Sequence, residues 1–405
     1  MTAPMDLEDA LARMLADLAA PAATEHVELA AALGRVAARP AFAATAVPPF
    51  ANSAMDGYAV AAADPAHDAA DSFRVVDTIY AGAAPTRAIG RGECARIFTG
   101  APMPDGADTV VAQEDATTSG EGVRFTERPE CGRFVRAAGG DVAAGEELLA
   151  AGTRLHGGHL ALLAAAGVPA LHVFPTTRLA IVISGDELRS PGARLEPGQI
   201  HDSARFALPA AAAPLPVEVV SVRHAGDSPQ ALAQAFELAS EEADAIVSTG
   251  GVSVGDADHV REVLAAGGSI GFWRLALKPG RPFAYGRYRG LPFFGLPGNP
   301  VSSLVTFLLL VRPALLTLAG VHDVSLPRRR VRLARDLHKA PGRRDFQRAR
   351  IEHDGSATAF ERQDSNVLSV LAQADLLLDL PEEAGDLSAG TEVDAIDLAG
   401  LLGSR

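Results

Sequence analysis

The spacing of apolar residues predicts an alternating α/β region in the centre of the chain. Residues 178–183 form a nearly continuous apolar run, which is the pattern of a strand buried on both faces of a parallel sheet. Two further β-prone runs follow, at 217–222 and from Ala245. Helices are predicted over 202–213, 229–240, 256–266 and 301–310. Strands that alternate with helices predict a doubly wound α/β domain, whose ligands lie at the carboxyl ends of the strands.

The segments on either side have different patterns. Leucines at helical spacing predict an amphipathic helix over 5–19, and a weaker repeat predicts another over 27–38. Residues 155–167 also have a helical pattern. Between 73 and 147, short β-prone runs alternate with Gly, Pro and Asp turns, which predicts a small all-β module. After Pro327, alternating runs predict a small β-barrel or sandwich of about 80 residues.

Length and charge narrow the class of protein. At 405 residues the chain suits two to four domains. Its net charge of −14 argues against a general binder of nucleic acid or anionic membranes, although a local basic pocket is compatible with it. The N-terminus has no secretory pattern, and the longest apolar run, 304–311, is far shorter than the roughly 20 residues of a membrane span. Cys94 and Cys131 make neither a zinc motif nor a disulfide framework. We expect a cytoplasmic protein.

A glycine turn after the strand at Ala245 is the first candidate site. Gly250-Gly251 ends the β-branched run, and Asp256 and Asp258 stand at the start of the predicted helix. Backbone amides at a helix N-terminus attract anions, and glycines let a phosphate approach them. Because carboxylates repel phosphate unless a cation lies between them, the pattern predicts a phosphate site with Mg²⁺. An ordinary βα turn with capping aspartates is the alternative.

Other loops predicted at the same edge of the sheet carry similar chemistry. They are Asp186-Glu187, Asp227, the segment 278–281 and the segment 295–300. Lys278 is one of only two lysines, against 34 arginines, and its compact ammonium in a Gly/Pro loop suits a phosphate unless it stands there by chance. Loops of this kind at one edge indicate one shared site rather than several unrelated turns.

Seven motifs carry a resemblance to a known family. They are Asn52-Ser-Ala-Met-Asp-Gly-Tyr-Ala, Thr99-Gly-Ala-Pro-Met-Pro, Asp108-Thr-Val-Val, Ser184-Gly-Asp-Glu-Leu, Ser248-Thr-Gly-Gly-Val-Ser-Val-Gly-Asp-Ala-Asp, Lys278-Pro-Gly-Arg-Pro-Phe and Leu296-Pro-Gly-Asn-Pro-Val-Ser. In this order they resemble the MoeA/gephyrin E-domain family of molybdopterin molybdotransferases, over essentially all 405 residues. Asp56-Gly57 within the first motif would, taken alone, indicate only a hairpin turn.

The resemblance implies a fold and a reaction. The implied domains are an elongated helical dimerisation domain (1–50 with 142–173), an inserted β module (51–141), a molybdopterin-binding α/β domain (174–325) and a C-terminal β-barrel (326–405). It implies a homodimer in which the β module of one subunit faces the α/β domain of the other. The implied substrates are adenylylated molybdopterin and molybdate, with Mg²⁺ as the metal and AMP as a product. A molybdopterin adenylyltransferase of the same pathway is the implied partner.

The matching motifs also imply residue roles. Catalytic roles are expected for Asp56, Thr99, Asp141, Glu187, Asp227 and Asp258. The expected metal ligands are Glu187, Asp227 and Asp258, usually through water. Substrate binding is expected of Arg136, Ser248, Gly250, Gly251, Ser253, Lys278, Arg281, Pro297, Gly298, Asn299, Pro300 and Ser302. Cationic groups at Lys278, Arg281 and Arg136 would attract molybdate.

The chain departs from the family pattern at a few positions. Arg274 and Arg281 stand where lysine is common, which keeps the charge but changes the donor geometry. The segment 201–205, His-Asp-Ser-Ala-Arg, is a looser form of its counterpart, and 364–369 lacks glycines often found near the barrel site.

Two other functions remain as alternatives. One is the adenylyltransferase that prepares the substrate and shares the α/β domain, and the other is a catalytically inactive scaffold of the same fold. The N-terminal 170 residues argue against the first, because that enzyme is a lone α/β domain. The intact acids Asp56, Asp141, Glu187, Asp227 and Asp258 argue against the second.

Overall fold

The computed structural model describes residues 4–67, 72–120, 122–251 and 259–402. The helices in these ranges are α1 (Leu7–Ala16), α2 (Gly157–Ala165), α3 (Ala204–Ala212), α4 (Pro229–Glu242), α5 (His259–Gly267), α6 (Pro300–Thr306), α7 (Arg312–Leu318) and α8 (Leu368–Leu371). A π-helical turn at Phe307–Val311 joins α6 to α7. Short 3₁₀ turns lie at Leu29–Ala31, Pro65–His67 and Gln113–Asp115.

The strands of the same ranges are numbered in chain order. They are β1 (Glu25–Glu28), β2 (Ala41–Phe42), β3 (Asn52–Ser53), β4 (Gly57–Val60), β5 (Phe73–Ile79), β6 (Glu93–Ile97), β7 (Thr109–Ala112), β8 (Ala116–Ser119), β9 (Gly122–Phe125), β10 (Val135–Arg136), β11 (Glu147–Leu149), β12 (Ala170–Val173), β13 (Thr177–Ser184), β14 (Leu188–Arg189), β15 (Ile200–His201), β16 (Val217–Ala225), β17 (Ala245–Thr249), β18 (Gly268–Arg274), β19 (Leu277–Lys278), β20 (Pro282–Tyr288), β21 (Leu291–Leu296), β22 (Arg328–Arg332), β23 (Arg344–Ile351), β24 (Ala357–Ala359), β25 (Leu376–Leu380) and β26 (Glu392–Asp397).

The central region is a mixed sheet with helices on both faces. Its strand order is β16-β13-β17-β21-β20-β18, parallel from β16 to β21 and antiparallel at β20 and β18. Side chains alternate along β13, so that Ile181 and Ile183 pack in one core with α3 and α6, while Val182 packs in another with α4 and α5. The strand predicted over 178–183 is confirmed, and its carboxyl end opens towards the glycine turn.

The helix after Asn299 is longer than the sequence predicted. The prediction ended it at 310, but it continues through the π-helical turn and α7 to Leu318. Pro313 has no N–H to donate to the preceding turn of the helix. That turn is π-helical, with a wider hydrogen-bond spacing, and the helix therefore continues through Pro313. The span Pro300–Leu318 is long and apolar enough to cross a membrane, yet 83% of it is buried, as in the core helix of a soluble domain.

Helix α1 packs on the central region. Its apolar face, Leu7, Ala10 and Met14, is buried in the same core as α7. The Met5 backbone N–H donates to the Arg274 carbonyl at 3.0 Å. The predicted N-terminal helix is therefore confirmed, and its apolar face belongs to the core of the central region, whereas Ala32, Ala37 and Ala41 belong to a separate core.

The remaining residues of 1–50, with 142–173, form paired strands and one α-helix, α2. Strand β1 pairs with β12 and β2 pairs with β11, both antiparallel. The helix predicted over 27–38 is wrong, because this segment holds the end of β1, the 3₁₀ turn at Leu29–Ala31 and isolated bridges. Its apolar residues face partners more than a hundred positions away, a pairing that local spacing does not reveal.

The β module is a six-stranded sheet. The strand order is β7-β4-β6-β5-β9-β8. The short runs that predicted strands in this segment are confirmed as β5, β6, β7 and β9. One core lies on each face of the sheet, with Ile97 in one and Cys94 in the other.

The C-terminal region is a sheet that includes a strand from the central region. Its order is β19-β23-β25-β26-β22, with β24 paired to β23, and an isolated bridge joins Leu333 to Ala357. Asp379 on β25, with a side chain 4% exposed, pairs with Arg328 and Arg344, and Arg344 also reaches Glu8. The predicted strands are confirmed, while closure into a barrel stays a prediction.

Candidate functional site

A cavity of about 810 Å³ lies at the carboxyl ends of β13, β17 and β21. This is the edge at which parallel α/β sheets bind ligands. The residues that line it come from several loops: Ile183, Ser184, Gly185, Glu187, Leu188, Ile200, His201, Asp202, Ser203, Ala204, Asp227, Thr249, Gly250, Gly251, Pro282, Pro297, Gly298, Asn299, Pro300, Ser302, Asn366 and Leu368.

The floor of the cavity is the glycine turn after β17. Gly250 has φ +91°, and a Cβ there would lie 2.4 Å from the Ser184 carbonyl oxygen. At Gly251 (φ +64°) a Cβ would lie 2.9 Å from a methyl carbon of Val260. Both positions require glycine because neither the backbone conformation nor the space accommodates a side chain. The Thr249 hydroxyl donates to the Pro297 carbonyl at 2.9 Å, which joins this turn to the loop after β21.

Carboxylates form one wall. Glu187, Asp202 and Asp227 line the cavity. The Asp186 backbone N–H donates to Asp227 Oδ2 at 3.0 Å, and the Asp227 N–H donates to Asp186 Oδ1 at 3.3 Å. These reciprocal bonds hold the loops after β13 and β16 together, so two acidic segments 41 residues apart in the chain share one edge.

Cationic side chains line an adjoining cavity of about 540 Å³. Lys278, Arg281 and Arg343 belong to its lining, and Asn299 and Ser302 border both cavities. Lys278 Nζ lies 3.2 Å from Asp345 Oδ2. The two cavities are therefore neighbours, and together we call them the cleft: carboxylates line the first part, and the second part, called the basic wall, holds three cations together with Glu361 and Asp364.

The structure brings most of the predicted α/β residues into this cleft. Those that line it are Glu187, Asp227, Gly250, Gly251, Lys278, Arg281, Pro297, Gly298, Asn299, Pro300 and Ser302. Ser248 is fully buried in β17, and its hydroxyl has no hydrogen-bond partner among the residues that the structure describes. It lies beneath the turn rather than in the cavity lining. Ser253, Asp256 and Asp258 lie outside the described residues.

The predicted residues of the β module lie elsewhere in the chain. Asp56 accepts hydrogen bonds from the Thr99 backbone N–H (2.8 Å) and hydroxyl (2.7 Å). These two bonds lower the pKa of Asp56 below its usual value, and the positive charge of Arg96 adds to the effect. Arg136 and Asp141 are both exposed. Within the described part of the chain, none of the four predicted residues lines either cavity.

Some residues of the cleft were absent from the predicted set. His201, Asp202 and Ser203 line the first cavity, and their only signal was the looser family segment at 201–205. Asn366 and Leu368 reach the same cavity from the C-terminal region. The Val301 N–H donates to the Ser365 carbonyl at 3.1 Å, so packing of the C-terminal region against α6 brings them there.

The donor set of the acidic wall suits one kind of metal site. Within the described ranges, no three His, Cys, Asp or Glu side chains are grouped as a complete protein cage would require. Glu187 and Asp227 nevertheless line one cavity. Mg²⁺ commonly binds through one or two carboxylates, several waters and the phosphates of a substrate. The acidic wall fits Mg²⁺ held in that way.

Three family descriptions match successive parts of the chain. "MoeA N-terminal region (domain I and II)" matches residues 5–167, "Probable molybdopterin binding domain" matches 180–317, and "MoeA C-terminal region (domain IV)" matches 330–398. The cleft lies in the second of these and borders the third.

Curated relatives and solved structures match over nearly the whole length. A molybdopterin molybdenumtransferase of Haemophilus influenzae is 36% identical, covering 98% of this chain and 100% of its own. Molybdopterin molybdenumtransferase 2 of Mycobacterium tuberculosis is 35% identical, covering 95% and 98%. A crystal structure of the MoeA protein of Pyrococcus horikoshii superposes with a TM-score of 0.85 at 27% identity, covering 98% of this chain and 100% of its own.

The fold and the cleft together define a multidomain protein with a ligand site at the edge of an α/β sheet. The chain belongs to the MoeA family of molybdopterin molybdenumtransferases.

Proposed function

We propose that this protein is a cytoplasmic molybdopterin molybdotransferase that inserts molybdate into adenylylated molybdopterin and releases AMP, with Mg²⁺ required. The observation that carries the proposal is the pair of neighbouring cavities, in which a glycine turn and an acidic wall adjoin a cavity lined by Lys278, Arg281 and Arg343. A reaction whose two substrates are a phosphoanhydride and a metal oxyanion needs both kinds of surface.

The glycine turn is the proposed phosphate subsite. Gly250 and Gly251 leave the backbone open to close approach, and Asn299 borders both parts of the cleft. When bound, Mg²⁺ would offset the charge that develops as the phosphoanhydride breaks, and Glu187 and Asp227 would hold it. We expect Asp258 to join them, as the family motif implies.

The basic wall is the proposed molybdate subsite. Lys278 and Arg281 supply positive charge, and Ser302 adds a hydroxyl donor at its border with the first cavity. A tetrahedral dianion is attracted by such a wall, whereas the carboxylates of the acidic wall repel it. The arrangement would hold molybdate apart from the metal ion and beside the pterin.

A homodimer would complete the site. Asp56, Thr99, Arg136 and Asp141 have no part in the cleft of their own chain, and we propose that they face the cleft of a second copy. Large apolar side chains are exposed on both surfaces that would meet: Phe42 (52%) and Tyr80 (57%) in the N-terminal half, and Ile200 (54%) and Phe206 (59%) beside the cleft. Such residues favour burial in an interface.

The primary test is turnover with purified components. The protein is incubated with adenylylated molybdopterin, Mg²⁺ and molybdate, and AMP is measured. We expect AMP release that requires both molybdate and Mg²⁺. Release that ignores molybdate, or no release from folded protein, would contradict the proposal.

The shared site is tested by mixing two inactive variants. Asp56→Ala and Glu187→Ala each remove one half of the proposed site. If the site is shared, a mixed dimer has one intact site, so random exchange of subunits restores about a quarter of the wild-type activity. A mixture of Glu187→Ala with Asp227→Ala, both on the α/β side, should restore none. If neither mixture regains activity although subunit exchange is verified, the shared site is refuted.

The adenylyltransferase and scaffold alternatives predict different results. The adenylyltransferase would consume ATP and molybdopterin and form the substrate named above, and we propose that this enzyme is instead the pathway partner that supplies it. A scaffold would bind the pterin without turnover. The full-length match to molybdenumtransferases supports the first proposal over both.

A further inference from the structure

Lys278 and Asp345 form an ion pair between two regions of the chain. Lys278 Nζ lies 3.2 Å from Asp345 Oδ2. The lysine side chain is 46% exposed at the cleft, whereas the aspartate side chain is only 6% exposed. A carboxylate this deeply buried needs a partner, because its ionised form is costly to hold away from water.

The backbone places the two residues side by side. Strand β19 runs parallel to β23, with Lys278 directly opposite Asp345 and Leu277 opposite Arg344. Neighbouring residues of paired strands project to the same face, so the side chains meet without a change of backbone. The Gln347 amide donates to the same Oδ2 at 3.2 Å and to the His338 carbonyl at 3.1 Å. The orientation of the carboxylate is therefore fixed before any ligand enters.

The other cations of the basic wall have no such partner. Within the described part of the chain, Arg281 and Arg343 make no side-chain ion pair or hydrogen bond. The positive charge of Lys278 is thus partly neutralised by Asp345, whereas Arg281 and Arg343 keep their full charge towards the cleft. We therefore expect Lys278 to attract anions less strongly than these two arginines do.

We propose that Asp345 is an internal counter-ion that positions Lys278 and limits the affinity of the basic wall for anions in general. The inference rests on the proposed molybdate subsite and deepens it. With its charge partly balanced, Lys278 contributes little to the binding of an anion that it alone contacts. An oxyanion is retained only when it also reaches the arginines and Ser302. Asp345 thereby lowers the affinity of the wall for any oxyanion that reaches Lys278, molybdate and sulfate alike.

The test is Asp345→Asn, which keeps the size of the side chain and an oxygen for Gln347 and Lys278 but removes the charge. Binding of molybdate and of sulfate is measured by calorimetry in the full-length protein. We expect the molybdate Kd to fall roughly fivefold, the size of effect expected of an ion pair with one half-exposed partner. The sulfate Kd should fall by a similar factor, because sulfate is also a tetrahedral dianion, while kcat for AMP release decreases because Lys278 is no longer held in position. Tighter binding with slower turnover is not the result of a merely structural defect, which would weaken both.

Two controls make the result specific. Asp394 belongs to the same C-terminal sheet but does not line the cavity, so Asp394→Asn should change either Kd by less than about twofold. In a Lys278→Gln background, Asp345→Asn should no longer tighten binding, because the charge that it released is gone. Asp345 also interacts with the fully buried Arg348, which gives Asp345→Asn a cause of instability unrelated to Lys278. If Asp345→Asn fails to fold, Lys278→Gln should weaken sulfate binding less than Arg281→Gln does, because the lysine charge is already partly balanced. A greater loss of sulfate affinity for Lys278→Gln than for Arg281→Gln would overturn the proposal.

The outcomes separate this inference from the proposed function. Unchanged or weaker oxyanion binding by folded Asp345→Asn, with wild-type protein binding molybdate normally, refutes the counter-ion and leaves the molybdate subsite intact. Wild-type protein that binds neither molybdate nor sulfate refutes both.

Discussion

Gly250→Ala tests whether the glycine turn is required by geometry. A Cβ at this position would lie 2.4 Å from the Ser184 carbonyl oxygen and 2.7 Å from its hydroxyl, at φ +91°. The left-handed backbone costs about 1–2 kcal/mol for a residue other than glycine. Forcing a methyl group into a packed site adds about 1–3 kcal/mol. We therefore expect a loss of about 2–5 kcal/mol, or a displaced turn that no longer accepts phosphate.

Gly290→Ala is the matched control. Gly290 has φ +84°, and a Cβ there would meet nothing within 4 Å. It precedes β21 and so lies at the opposite edge of the sheet from the cleft. This substitution has the cost of the left-handed backbone but no steric clash. The difference in unfolding free energy between the two variants therefore gives the cost of the clash, about 1–3 kcal/mol.

The assays are thermal unfolding and the kcat/KM of AMP release. At roughly 2–4 °C per kcal/mol for a domain of this size, Gly250→Ala should melt about 2–12 °C below Gly290→Ala. Its kcat/KM should fall at least about tenfold, whereas that of Gly290→Ala stays near the wild-type value. Equal melting temperatures and equal kcat/KM for the two variants would refute the account of the turn.

Other expectations concern pH, stability and metal. Thr99→Val removes one of the two hydrogen bonds that lower the pKa of Asp56, so the acid limb of the kcat/KM profile should move to higher pH, and Thr99→Ser should restore it. Burial raises the pKa of Asp379, but its ion pairs with Arg344 and Arg328 outweigh this effect and hold the pKa below the usual value for an aspartate. The stability that these ion pairs contribute is fully present at pH above that usual value, and it is lost as the pH falls through the lowered pKa. Asp379→Asn should cost about 3–5 kcal/mol in urea unfolding at neutral pH, against about 1 kcal/mol or less for the exposed Asp394→Asn. Glu187→Gln should raise the Mg²⁺ concentration for half-maximal activity roughly tenfold or more, as read from a Mg²⁺ titration.

Local patterns predicted three strands of the central sheet, β13, β16 and β17, but not β18, β20 and β21. The strand over 178–183 is apolar on both faces because each face packs against helices, and that burial is visible in the residues themselves. The helix predicted over 229–240 is confirmed as α4, where Ser228 caps the first turn by accepting from the Ala231 N–H at 3.2 Å. These features depend on neighbours within a few residues, so spacing and capping residues reveal them.

Local spacing does not reveal contacts between segments that are far apart in the chain. Val27 lies opposite Leu171 in the β1–β12 pair, and nothing near residue 27 indicates that partner. The helix predicted over 301–310 continues past Pro313, because the π-helical turn before this residue accommodates it. Loop chemistry predicted Glu187, Asp227 and Lys278 in the cleft, because the ends of parallel strands meet at one edge. Asn366 and Asp345 were not predicted, since they come from another region of the chain.

The position of α1 has a consequence for synthesis. The helix is made about 300 residues before α7, which begins at Arg312, yet the apolar face that includes Leu7 and Met14 packs with α7. At about 5–20 residues per second, translation of the intervening 300 or so residues takes roughly 15–60 s. During that interval the nascent helix lacks its partner α7. The part of the core that joins α1 to α7 can therefore form only after α7 has been made.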